Sequence, residues 1–295
     1  MKRYKIKLGK VMIYEHEIPV GSKLYFGDSA KLKREIESVA SEIFSKKGFG
    51  EIVTPFLSYH QHGSIAEKEL IRYADSSNHI VSLRADSTMD VVRLMNKRLG
   101  RSITQDRWFY IQPVFKFPSF EINQIGSEFV GAKSLDFAIE ISGLVFGEFS
   151  LKPLLQICDI NIPNILAKKF ELDISVFERS EIQKLFALGI PWLDKLVKTQ
   201  TLEQLNEVIQ IAPQEIKNEL IKMREMSKEI EYDRVVFSPL YYARMRYYDG
   251  LFFRFIEKNL TLGLGGFYEC DGVKSAGFAL YTDEIIKEKV GKDGE

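Results

Sequence analysis

Cysteine is nearly absent from this chain. Its 295 residues hold two, Cys158 and Cys270, too few for a disulfide framework or a zinc knuckle; two reduced, buried thiols are expected. Long apolar runs are missing too. The longest stretch without Asp, Glu, Lys or Arg is 52–66, only 15 residues, and it contains a proline, two histidines and a glutamine. A bilayer span needs about 20 apolar residues. The first ten residues carry five cations but lead into no signal-peptide core, so the expected location is the cytoplasm, with no membrane partner. A surplus of either charge is also lacking, since 41 Lys+Arg balance 41 Asp+Glu. Binding to nucleic-acid phosphates draws on a basic surplus, so no nucleic-acid partner is expected.

The chain has ordinary globular content, 45% hydrophobic and 28% charged, enough to fill a sizeable core. No internal repeat is visible, and helix and strand patterns alternate irregularly, which predicts an α+β fold. A helix is expected to start near Asp28-Ser29, with Leu32, Ile36, Val39, Ala40, Ile43 and Phe44 on its inner face and Gly48 as its stop. The run 51–57 reads as a strand that Pro55 confines to an edge or a bulge. A second helix, capped at Asp86-Ser87-Thr88, turns Val91, Val92, Met95 and Leu99 inward. The runs 108–117 and 121–131 form a hairpin, and a helix follows at 135–149. The stretch 160–231 reads as a helical insertion in a single domain. Strand patterns return at Val235, and a last helix is expected from about Ala276 to Lys289. A mostly antiparallel sheet flanked by helices accounts for this order.

The strand 121–131 has the most informative pattern. Alternation places Gln124, Gly126 and Glu128 on one face and Ile125 and Phe129 on the other. Glutamine donates and accepts, ionised glutamate accepts, and the glycine between them leaves room for a ligand to approach the backbone. A solvent-facing polar strand with a bulge glycine explains the same pattern. Asp86, Ser87 and Thr88 at a helix start could hold an amino group or serve as an ordinary N-cap. Tyr247 and Tyr248 put one hydroxyl on each face of a strand, for a cleft or for packing. Gly263, Gly265 and Gly266 lack the Lys-Ser/Thr helix start of a phosphate loop and fit a closely packed sheet better. His60 and His62 have no third ligand at recognisable spacing, so no metal is expected, and neither is any other cofactor. No nucleophile elbow or Cys/His arrangement is present. The residues alone support a polar small-molecule cleft.

Taken in order, these pieces resemble the catalytic core of class II aminoacyl-tRNA synthetases, in the histidyl branch. KKGFGEIVTPFL (46–57) is similar to the family's first motif, the dimer-interface helix and strand, which makes Phe49, Ile52 and Phe56 candidate interface residues. LRADSTMDVVR (83–93) resembles the Leu-Arg-Pro-Glu-Gly-Thr segment that holds the histidine amino group, a role that would fall to Asp86 and Thr88. WFYIQPVFKF and NQIGSE resemble the second motif and the Gln-x-Gly-x-Glu strand, mapping onto Gln124 and Glu128. MRYYDGLFF (245–253) resembles the Leu-Asp-Tyr-Tyr signature with Tyr247 and Tyr248, and LGGFYE with SAGFALYTDEI resembles the Gly-Gly-Arg-Tyr segment and third motif.

The departures matter as much. Synthetases stabilise the phosphates of ATP with arginines, whose planar fork pairs bidentately with phosphate. Those positions are occupied here by Lys116, Ala243 and Glu284, the signature aspartate is Arg246, and no anticodon-binding domain is expected. A synthetase core so altered is similar to the regulatory subunits of ATP phosphoribosyltransferase. That resemblance implies a non-catalytic protein with a dimeric core. It would partner a short-form catalytic subunit, support its activity and carry histidine feedback at the first step of histidine biosynthesis. Lys116, Arg244 and Arg246 keep an alternative open, a paralogue that activates or transfers an amino acid.

Overall fold

A computed structural model describes residues 18–59, 65–95, 104–243, 248–270 and 272–293. Tyr247, Arg244, Arg246, Leu99, His60 and His62 lie outside the described residues.

Helix α1 (Gly27–Lys46) buries Ile36, Ala40 and Phe44, with Leu32, Val39 and Ile43 packed beside them, the stripe that a 3.6-residue period selects. It starts just before the expected Asp28. Ser29 Oγ accepts from the Phe26 N–H at 3.1 Å and donates to the Phe26 carbonyl at 2.9 Å. Gly48, with φ of +80°, ends it.

The expected strand at 51–57 is two pieces in two sheets. β1 (Gly50–Glu51) joins the large sheet, and β2 (Leu57–Ser58) joins a small one with β3 (Arg72–Ala74) and β4 (Ile80–Leu83), in the order β2-β4-β3. The chain crosses at Thr54-Pro55 because the carbonyls there accept from a buried side chain rather than a neighbouring strand. Arg84, fully buried, donates from Nη1 to the Thr54 carbonyl at 2.8 Å and to Thr54 Oγ1 at 3.0 Å. Its Nε and Nη2 donate to the Pro113 carbonyl at 2.9 and 2.6 Å. Its own N–H donates to the Phe56 carbonyl at 2.7 Å, and its carbonyl accepts from Phe115 at 2.8 Å. One residue thereby joins the crossing segment to both sheets. The crossing corrects the expected interface residues as well. Phe49 is buried against Phe44 and Phe137, and Ile52 is half-buried, whereas Phe56 is exposed.

After α2 (Ser87–Leu94) come the hairpin strands β5 (Arg107–Lys116) and β6 (Phe120–Val130), helix α3 (Asp136–Glu148) and strand β7 (Leu154–Asp159). The helical stretch then holds α4 (Asn161–Lys169), α5 (Ser175–Glu178), α6 (Ile182–Phe186), α7 (Pro191–Val197), α8 (Leu202–Ile211) and α9 (Gln214–Glu229). The chain closes with β8 (Val235–Phe237), β9 (Tyr248–Glu257), β10 (Leu260–Cys270), β11 (Val273–Tyr281) and α10 (Thr282–Asp293). The large sheet has eight strands in the order β1-β5-β6-β11-β10-β9-β7-β8. Every pair from β5 to β7 is antiparallel, and β1 and β8 add parallel edges.

The last helix therefore begins at Thr282, not near Ala276. Residues 276–281 are a central strand between β6 and β10, buried on both faces, and such a strand lacks clean alternation. The same reason hides β7 in LLQICD. One face of the sheet sends Phe109, Ile125, Phe253, Phe255 and Phe278 into a core shared with α1, α3, α10 and the helices after β7. Among the described residues, no helix is long and apolar enough to cross a membrane. The free thiol of Cys158 is buried, as expected, and burial pushes its pKa up.

Replacing Arg84 tests the crossing. Arg84→Met leaves the Thr54 and Pro113 carbonyls without their buried donor, and each orphaned group costs about 1–3 kcal/mol. The expected loss is about 3 kcal/mol or more in a denaturant melt. Arg84→Lys, which keeps the charge but not the fork, should recover only part of it.

Candidate ligand-binding cleft

The other face of the sheet carries the cleft, and strand register assembles it. Residues directly opposite in an antiparallel pair point to the same side. Gln124 lies between Gln112 and Tyr281, Gly126 between Tyr110 and Ala279, and Glu128 between Trp108 and Gly277. Gly277 in turn faces Gly266 on β10. Two adjacent glycines thus open a slot beside Glu128, and a Cβ at Gly277 would overlap the Glu128 carboxylate. Gly126 is different from what its sequence suggests. The space above it is filled by the phenol of Tyr110, not left for a ligand. Gly263, Gly265 and Gly266 are strand residues packed against Leu280, Phe278 and Tyr248.

Glu128 is fully buried. Tyr110 Oη donates to its Oε1 at 3.2 Å, and Tyr268 Oη donates to its Oε2. Thr88 Oγ1 lies 3.4 Å from Tyr110 Oη, which connects the carboxyl to the first turn of α2. Burial pushes the Glu128 pKa up to about 8; the hydrogen bonds from Tyr268, Thr88 and Tyr110 oppose this, while the Asp86 charge adds to it. Burial also drives the Tyr110 and Tyr248 hydroxyls upward, so both stay protonated at neutral pH.

Asp86 caps α2, accepting from the Met89 N–H at 3.0 Å. The cap is tied to the sheet through Gln112, whose Nε2 donates to Ser87 Oγ and to Thr54 Oγ1, both at 3.1 Å. Asp86 also borders both cavities of the cleft. The outer one, about 450 Å³, is lined by Asp86, Lys116, Gln124, Tyr241, Ala243 and Tyr281 among others, and α5 contributes Phe177 and Glu178. The inner one, about 20 Å³, touches Asp86, Thr88, Gln124, Tyr248, Tyr268 and Tyr281. Lys116 points its charge toward Glu69, 3.5 Å away.

The fold thus gathers Asp86, Thr88, Gln124, Tyr248, Lys116 and Ala243 around one cleft, with Glu128 buried behind its wall and bonded to Tyr268. Glu284 is not part of its lining; it sits in the first turn of α10 and pairs with Lys287 at 3.8 Å. The sequence reading missed Tyr110, Tyr268, Tyr281 and the α5 contribution. Tyr110 shares strand parity with Gln112 and Lys116 and faces Gly126 across the hairpin, a signal that needs the register. Among the described residues, no cluster of His, Cys, Asp or Glu could hold a metal.

An antiparallel sheet with helices on its core face and a polar cleft on the other is the core architecture of class II synthetases. A family model described as histidyl-tRNA synthetase matches residues 26–285. The ATP phosphoribosyltransferase regulatory subunit of Wolinella succinogenes is 44% identical over 286 residues, covering 97% of this chain and 99% of that one. The Helicobacter hepaticus protein of the same name is 42% identical over 277 residues, covering 94% and 99%. Among solved structures, an ATP phosphoribosyltransferase regulatory subunit/histidyl-tRNA synthetase from Bacillus halodurans superposes with a TM-score of 0.78 at 19% identity, covering 93% of this chain and 83% of that one. A Nostoc histidyl-tRNA synthetase follows at 0.74 and 14%, covering 95% and 77%; at such identities the likeness is one of fold. The chain belongs to the histidyl-tRNA synthetase-like family, in its branch of ATP phosphoribosyltransferase regulatory subunits.

A pKa raised in the folded state means that the fold holds the proton. The Glu128 contribution to stability is complete below its ordinary value of about 4.5 and is lost as pH climbs through about 8. Glu128→Gln, which keeps the volume and cannot ionise, should melt close to wild type at pH 5 and several degrees higher at pH 9. Parallel thermal melts at the two pH values check this.

Proposed function

We propose that this chain is the non-catalytic regulatory subunit of an ATP phosphoribosyltransferase, working in the cytoplasm with a short-form catalytic subunit at the first step of histidine biosynthesis. The observation that carries this reading is the 44% identity along 97% of the chain to a protein of that name. The cleft supports it. Activating an amino acid with ATP needs cations fixed on the phosphates and on the developing charge. Among the described residues that line the outer cavity, Lys116 is the sole cation, and it is engaged with Glu69. Synthetase activity is therefore lost, and what remains is a site for a small polar effector.

Histidine is that effector in our reading. Asp86 and Thr88 would take its ammonium, Gln124 its carboxylate end, and Glu128 with Tyr248 its imidazole, with Tyr247 as the neighbouring candidate. The Glu128 oxygens already receive two hydroxyl hydrogen bonds, but a carboxylate offers about four lone-pair sites. The core is proposed to dimerise through the small sheet. Val53 is 77% exposed, Ile80 59% and Phe56 57%, and Leu57 is exposed beside them, a concentration of apolar side chains that water disfavours.

Three outcomes are expected. Purified protein supports no histidine-dependent ATP–pyrophosphate exchange, and adding it to the short catalytic chain raises phosphoribosyl transfer; robust exchange would overturn the reading. Glu128→Gln and Asp86→Asn each weaken histidine inhibition of the complex by roughly ten- to a hundredfold, the cost of about 1.5–3 kcal/mol for a charged hydrogen-bond partner. Sedimentation at micromolar concentration gives a dimer, and Phe56→Glu shifts it toward monomer.

A further inference from the structure

The two cavities of the cleft share part of their walls. The inner cavity, about 20 Å³, has room for a single water, whereas the outer one measures about 450 Å³. Asp86, Gln124, Leu264 and Tyr281 border both. Asp86 is held as the α2 cap. Tyr281 is the largest of the four, and its ring has the size of the group that the inner chamber would have to admit.

Its backbone cannot move freely. Tyr281 pairs with Gln124 at the end of β11, and two residues on Asp283 accepts from the N–H and the Nδ2 of Asn123, each at 2.9 Å. Its side chain is held differently. Among the described residues no hydrogen bond reaches the Tyr281 hydroxyl, although burial and the nearby Asp86 charge raise its pKa to about 12. The side chain is half-buried at the cleft, and a change of its rotamer leaves the strand ladder untouched.

We infer that Tyr281 is a gate. With its ring in place the chamber of Tyr248, Tyr268 and Gly277, behind which the Glu128 carboxyl lies, is closed to the outer cavity, and with the ring rotated away the chamber admits an imidazole-type ring bearing N–H donors. The inference rests on the cleft being the histidine site. It makes Tyr281 a determinant of affinity, because a ligand that binds only the open form sees its apparent dissociation constant divided by the open fraction. A gate open about one-tenth of the time weakens binding about tenfold.

Calorimetric titration of L-histidine into the intact chain tests this. Tyr281→Ala, or Tyr281→Ser if the alanine variant melts early, should bind at least about tenfold tighter than wild type. Tyr281→Phe, which retains the ring, should stay within about twofold, and adding Glu128→Gln to the alanine variant should remove the gain. Unchanged affinity in both small-residue variants overturns the gate. So does a gain that survives Glu128→Gln, since the ligand then lies in the outer cavity. If Glu128→Gln weakens the wild type while Tyr281→Ala changes nothing, the gate falls and the histidine site stands. If no variant binds histidine while histidine still inhibits the complex, the site falls and takes the gate with it.

Discussion

Arg84 is the residue on which the two sheets depend. Its guanidinium is buried and still charged, with a pKa of about 10 lowered by burial. A cation in that place is tolerable because carbonyls surround it: Thr54 on the crossing segment and Pro113 on β5 take its donors, and the ring of Phe56 lies 5.0 Å away. Those carbonyls would otherwise be orphaned where Pro55 interrupts the strand. The same arrangement sets the entrance of α2, since Asp86 follows two residues later and Gln112 connects Thr54 to Ser87. The cleft and the small exposed sheet are positioned by one buried side chain.

From that frame the chemistry of the cleft follows. Among the described residues the cleft presents tyrosines beside the buried Glu128 carboxyl, whose pKa burial raises. Hydroxyls of fixed direction are what a polar ring with N–H donors would meet there under the proposed function. The glycines of β10 and β11 contribute by omission. Gly277 and Gly266 give the Glu128 carboxyl and the Tyr248 ring the volume that side chains would have taken.

The expected elements were best legible where one face of an element meets water. The α1 stripe, the Asp86 cap and the hairpin of β5 and β6 all follow from periodicity and turn chemistry. Gln124 and Glu128 stood out by alternation alone. Elements buried on both sides were not legible. β7 is buried or half-buried at every position, Gln156 and Asp159 included, and the second half of β11 is apolar or aromatic throughout, so no period distinguishes strand from helix there. The crossing at Thr54-Pro55 was hidden for another reason: its partner, Arg84, is 30 residues away.

By itself the sequence determined the α+β class, the likeness to a histidyl synthetase core and the loss of its arginines, because these depend on local pattern and residue identity. Only the tertiary structure decided that Gly126 makes room for Tyr110, that Glu128 lies in a slot between Trp108 and Gly277, that Phe49 is core rather than surface, and that Tyr281 stands between two cavities. The first two are consequences of strand register and the others of packing between elements, and both arise from contacts between residues far apart in the chain, which no local window contains.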